Sequence, residues 1–165
     1  MKKVKGFTLI ELIVVIAIIG ILAAILVPTM IGFIRDSKAA RLNGNAKSIY
    51  SAAQLAITDY NNGISGANKY IEPDCVYTGS DEGQAYPSIA NGSGDVCDLT
   101  KYLGKKFGGY FAFKTDNMGY GCVFAMWSEF PIPADIVTEP LTEEDVKSSM
   151  ETSLPTGCHP LKAES

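Results

Sequence analysis

Histidine occurs once in these 165 residues, at position 159, so no second imidazole stands at metal-ligand spacing from it. His159 is flanked by Cys158 and Pro160 in a segment that reads as a solvated tail, a poor setting for the positioned base that a nucleophile needs. No CxxC pair is present either: Cys75, Cys97, Cys122 and Cys158 stand 22, 25 and 36 residues apart, matching neither a zinc site nor a redox motif. A phosphate-cradling glycine loop is also missing. Positive charge is in short supply, with 14 Lys and Arg against 18 Asp and Glu for a formal net charge of -4, which argues against a nucleic-acid-binding surface. No catalytic residue, metal ligand set or cofactor is therefore expected. The largest gap of all is in charge along the chain, because between Phe7 and Ile34 the only ionisable side chain is Glu11.

What fills that gap is an apolar run, KGFTLIELIVVIAIIGILAAILVPTM. At about 1.5 Å per residue, Phe7 to Pro28 spans roughly 30 Å as a helix, the thickness of a bilayer's hydrocarbon. Lys2, Lys3 and Lys5 place the N-terminus in the cytoplasm and the residues after Arg35 outside. An ordinary cleavable signal does not fit, since the run is longer than such a segment and Ala23-Ala24 leads straight into Ile25-Leu26-Val27. A plain anchor accounts for the length and the lysines but not for Glu11, because a carboxylate near a helix centre in hydrocarbon costs about 2.5–3.5 kcal/mol, less near the interface. Outside the membrane, four cysteines without a metal pattern read as two disulfides formed in an oxidising compartment.

Lys5-Gly6-Phe7-Thr8-Leu9-Ile10-Glu11, followed by the unbroken apolar stretch and Pro28, resembles the class III signal and first helix of type IV pilins and their pseudopilin relatives. The resemblance covers about the first thirty residues. It implies cleavage between Gly6 and Phe7 by a membrane-bound prepilin peptidase, N-methylation of Phe7, and assembly of many copies into a helical filament by an ATPase acting through a membrane platform. The new α-amino group, with a reference pKa of about 7.7–8.0, is mainly cationic at neutral pH. Phe7 and Glu11 lie at i and i+4, so self-pairing is open to them; the resemblance implies the intermolecular pair, in which Glu11 of one copy meets Phe7 of another and sets the register of the filament. Gly20 and Pro28 mark the stretch where the helix is most easily kinked or opened. Of the three cysteine connectivities, the resemblance favours Cys75 with Cys97 and Cys122 with Cys158, the second being similar to the C-terminal disulfide loop of many pilins.

The expected fold is α+β and pilin-like: a long hydrophobic-then-amphipathic helix on a small antiparallel sheet with disulfide-pinned loops. Residues 1–6 form the leader, 7–34 the hydrophobic membrane and filament-core helix, 35–62 its amphipathic continuation, and 63–165 an extracellular head. Ala39, Leu42, Ala46, Ile49, Ala53, Ala56 and Tyr60 recur at steps of three and four, a stripe for the sheet to cover, and Asn61-Asn62-Gly63 stops the helix. Residues 64–109 read as a long loop region with one helical turn at 98–103. A hairpin follows, with strands at 110–115 and 120–127 around a turn at 116–119; residues 142–150 read as a short helix and 155–160 as a terminal loop. Trp127 and the aromatics of 102–127 read as core. Asp81, Glu82, Asp95 and Asp98 lack EF-type spacing and read as a solvated acidic loop, and Asn91-Gly92-Ser93 is a glycosylation sequon.

Three functional readings follow from the residues and the resemblance together. The leading one is a structural pilus subunit, stored in the inner membrane and then displayed at the cell surface, with a pseudopilin of type II secretion or DNA uptake as a close alternative. A membrane-anchored extracellular binding domain is the alternative from a different class.

Overall fold

The first helix starts where a threonine is followed three residues later by a glutamate and then by unbroken apolar sequence, a pattern that satisfies free backbone donors at a helix start. In the computed structural model, which describes residues 7–64, 71–80, 83–87, 97–103 and 108–163, this helix, α1, runs Leu9–Asn61. The chain divides into two units, Met1–Ser37 and Lys38–Ser165, and α1 contributes to both. In the first unit every side chain from Phe7 to Ile34 is exposed, as expected of a helix that is apolar all round and made to be covered by lipid or other chains. It is long and apolar enough to cross a membrane. The backbone stays α-helical through Gly20 and Pro28. Pro28 has no N–H to give to the preceding turn, and the Thr29 hydroxyl donates to the Leu26 carbonyl at 2.8 Å.

The second unit is a six-stranded sheet with residues 38–61 of α1 on one face and the C-terminal segment on the other. Its strands are β1 (Val76–Gly79), β2 (Gln84–Pro87), β3 (Cys97–Asp98), β4 (Tyr110–Thr115), β5 (Cys122–Ser128) and β6 (Thr156–His159), in the order β3-β2-β1-β4-β5-β6. All neighbours pair antiparallel. Alternation along the strands divides the core. Phe111, Phe113, Ala125 and Trp127 pack with Leu42, Ala46, Ile49, Ala53 and Ile57 of α1, while Ala112, Phe124, Met126 and Cys158 pack with Ile132, Val137 and Val146 beneath the chain that returns across the far face. Val146 belongs to α3 (Glu143–Ser149), whose start is closed by a reciprocal box: the Asp145 N–H donates to Thr142 Oγ1 at 3.1 Å and the Thr142 N–H to Asp145 Oδ2 at 2.9 Å. The β4–β5 turn is held by Asp116, whose Oδ1 accepts from the N–H groups of Met118 (3.0 Å) and Tyr120 (2.9 Å). Gly119 supplies the positive φ of 73° that the turn requires.

Three carboxamides of α1 fasten the sheet to the helix. Asn43 Oδ1 accepts from the Cys158 N–H at 3.1 Å, Gln54 Oε1 from the Cys122 N–H at 2.9 Å, and Asn61 Nδ2 donates to the Gly119 carbonyl at 3.2 Å. Inside the sheet, fully buried Thr115 accepts the Cys75 N–H at 2.9 Å and donates to the Glu72 carbonyl at 2.7 Å. Thr115→Val keeps the shape but orphans both partners, so a loss of about 1–3 kcal/mol is expected, read as a lowered denaturation midpoint with an unchanged slope.

Three expectations are corrected. The 64–109 region is not simply loop: β1, β2 and β3 lie in it, short strands defined by their partners rather than by their own pattern. The expected terminal loop contains β6, because Thr156–His159 pairs with β5. The second hairpin strand begins at Cys122, not Tyr120, and carries a register shift opposite Lys114/Thr115. All four cysteines are buried, and no bridge joins them among the described residues. Cys97 aligns through Ala85 with Gly79, two strands across and four residues along from Cys75. Cys158 stands opposite Met126, four residues along from Cys122 and on the other face of the sheet. With about 3.4 Å per residue and about 4.8 Å between strands, both separations exceed the roughly 7 Å limit for bridged Cα atoms.

Candidate functional site

The start of α1 brings the lone carboxylate of the apolar segment into a defined geometry. Thr8 is the last residue before the helix, and its N–H and hydroxyl both donate to Glu11 Oε2, at 2.9 and 2.6 Å; in return the Glu11 N–H donates to Thr8 Oγ1 at 3.4 Å. This is a capping box, in which the threonine closes an open donor of the first turn and the glutamate closes the threonine's own N–H. Thr8 is absent from the sequence-derived site, although the T-x-x-E spacing before an apolar run was the signal that carried it. Phe7, one residue further out, is 77% exposed. The structure records no bond between Phe7 and Glu11, and Gly6 lies outside the described residues. The arrangement is thus a carboxylate at the head of an uncovered apolar helix, one turn from the residue whose amine a cut after Gly6 would free.

The other sequence-derived candidates lie in the second unit. Burial pushes the thiol of Cys97 up to about 12 and that of Cys158 up to about 11, and raises Cys122 as well, with Cys97 and Cys158 adding to the effect. Thiols so shifted carry little thiolate near neutral pH and are chemically quiet. Of the acidic loop residues, Asp98 caps α2 (Thr100–Leu103), accepting from the Thr100 N–H at 2.8 Å and its hydroxyl at 2.6 Å. Asp81, Glu82, Asp95 and the Asn91 sequon lie outside the described residues. Among the described residues no three potential ligands cluster for a metal ion. A cleft of about 880 Å³ is lined by Glu72, Asp74, Lys114, Asp135 and Thr138, with Lys114 paired to Asp74 at 3.1 Å.

His159 is not the solvated tail residue expected. It sits on β6, half-buried, edge-on to Tyr50 with ring centroids 5.3 Å apart. Burial, and then the charge of Lys47, hold its imidazole below the usual histidine range. The folded state therefore favours the neutral ring, and its stabilisation, present above about pH 6.5, declines as pH falls through that value towards the lower folded one. A modest drop in melting temperature on acidification is expected, smaller in His159→Gln, by scanning calorimetry across that range.

Comparison with known proteins takes in the N-terminal residues and, for one relative, about two thirds of the chain. Residues 1–27 match the family described as the prokaryotic N-terminal methylation motif. Over 113 residues the chain is 34% identical to a fimbrial protein of Pseudomonas aeruginosa, covering 66% of this chain and 73% of the relative. Identity to the type IV major pilin protein PilA of Myxococcus xanthus is 54% over 48 residues, 29% of this chain and 22% of that one. To the type IV major alpha-pilin of Moraxella bovis it is 47% over 57 residues, 34% and 36% of the two chains. No solved structure matches.

Proposed function

Because this chain belongs to the type IV pilin family, a structural subunit of a pilus, we propose how its first residues make it one. A prepilin peptidase cuts between Gly6 and Phe7 and methylates the new amine, which remains a cation. The subunit waits in the cytoplasmic membrane with residues 7–34 in lipid and the head outside. An assembly ATPase, working through a membrane platform, then moves it into a filament at the cell surface. In the filament, the apolar surface from Phe7 to Ile34 is covered by the same segment of other copies.

Glu11 decides where each copy stops. A carboxylate in an apolar bundle is tolerated only opposite a positive group, and the Phe7 amine of another copy is the group the cut creates at matching depth. A buried pair of this kind contributes specificity more than net stability, because removing both charges from water offsets most of their attraction. Gly20 and Pro28 leave a stretch that can lengthen or bend as the helices pack. The observation that carries the reading is the lone carboxylate one turn beyond the proposed cut, heading an apolar segment in which every side chain from Phe7 to Ile34 is exposed.

Intact mass of the protein from cells tests it. A chain beginning at Phe7 with one added methyl is expected. Retention of Met1 to Gly6 in the assembled material would overturn the proposal.

A further inference from the structure

We propose that Thr8 is a positioning residue for docking: it holds Glu11 by one carboxylate oxygen and leaves the other open to the amine of a second copy. The inference rests on the reading of Glu11 as the group that meets Phe7. Both Thr8 donors converge on Oε2, whereas Oε1 takes no hydrogen bond among the described residues. Two donors from a single residue fix the glutamate's torsions, which would otherwise sample several rotamers and lose that freedom on docking. The flanking side chains Leu9, Ile10, Leu12 and Ile13 carry no donor. Within one copy in lipid, Thr8 is therefore the side chain that can serve the carboxylate.

The division of labour between the oxygens matches the two states of the subunit. While it waits, two hydrogen bonds to the charged group lower the cost of holding it among acyl chains, since bonds to ionised acceptors are the stronger kind. They do not neutralise it, because both donors are uncharged. The carboxylate stays attractive to an ammonium, and Oε1 is the oxygen left to accept it. Docking then adds a partner without first breaking the cap. Thr8 lies after the cut, so the same cap serves the subunit before and after processing.

Thr8→Val and Thr8→Ser separate this role from simple helix starting. Valine keeps the shape and the backbone N–H but lacks the hydroxyl; serine retains the hydroxyl. In the full chain, filament yield from equal membrane levels should fall about tenfold or more in Thr8→Val, the scale of one hydrogen bond to a charged group, and recover in Thr8→Ser. The second readout is the carbon-13 resonance of the labelled Glu11 carboxyl in unassembled protein reconstituted in phosphatidylcholine vesicles. It should shift in Thr8→Val and return in Thr8→Ser. If Thr8→Val assembles at the wild-type level, or leaves the resonance in place, the positioning role is overturned while the docking role of Glu11 stands. If Glu11→Ala assembles normally, both fall together.

Discussion

Glu11→Ala is expected to insert in the membrane as the wild type does and to lose filaments by about a hundredfold or more, measured as sheared pili per unit of membrane-held subunit. The magnitude follows from what the substitution leaves behind: the amine of Phe7, brought into an apolar bundle with no opposite charge, where breaking a buried pair costs about 3–5 kcal/mol and each 1.36 kcal/mol is a factor of ten. Glu11→Gln sharpens the test. An amide oxygen three residues after Thr8 still closes the capping box, so helix starting is retained while the charge is removed. If the glutamate served only as a cap, the glutamine variant would assemble. If it meets an amine, both variants fail, and unchanged yield in either would remove the register role.

Gly157→Ala should be the most damaging single substitution in the head. A Cβ at that position would stand 2.2 Å from the carbonyl carbon of Leu42, 2.3 Å from its oxygen and 2.7 Å from the nitrogen of Asn43. Those are backbone atoms of α1, and no side-chain rotation relieves the clash. Strand β6 must withdraw, taking with it the Cys158 N–H to Asn43 bond and the burial of Cys158 and its neighbours. We expect a loss at or above the top of the roughly 1–3 kcal/mol range for overpacking, and a melting temperature lower by about 10 °C in the unassembled protein. Gly44→Ala is the contrast, since nothing lies within 4 Å of its added carbon and alanine favours a helix by up to about 1 kcal/mol. A Gly157→Ala protein that melts with the wild type would mean that β6 does not approach α1 so closely.

The parts of this protein legible in its sequence are those whose pattern is local. The apolar run, the three-and-four stripe from Ala39 to Ala56, the strand Tyr110–Thr115 and the helix after Thr142 each carry their own periodicity or cap, and each is found within a residue or two of where it was expected. Buried Ala52 and Ile57 widen the stripe without changing its face. What escaped is defined by partners. Val76–Gly79, Gln84–Pro87 and Thr156–His159 are four residues each, too short to alternate convincingly and set among turn formers, and they become strands only by pairing with β4, β5 or one another. The cysteine pairings are not legible for the same reason, because order along the chain says nothing about register across it. At the start of α1, Glu11 was conspicuous as an isolated charge, but Thr8 was hidden by its ordinariness, a hydroxyl marked only by its spacing from a carboxylate.

The carboxamides at Asn43, Gln54 and Asn61 have a mechanical consequence. They are spread over about 27 Å of helix, each gripping a different part of the sheet. Tension drawn along this part of α1 loads all three anchorages together in shear, whereas a sheet attached at one end would peel away contact by contact. The head is thus fastened to resist a pull along this part of the helix better than one that lifts the sheet away from it.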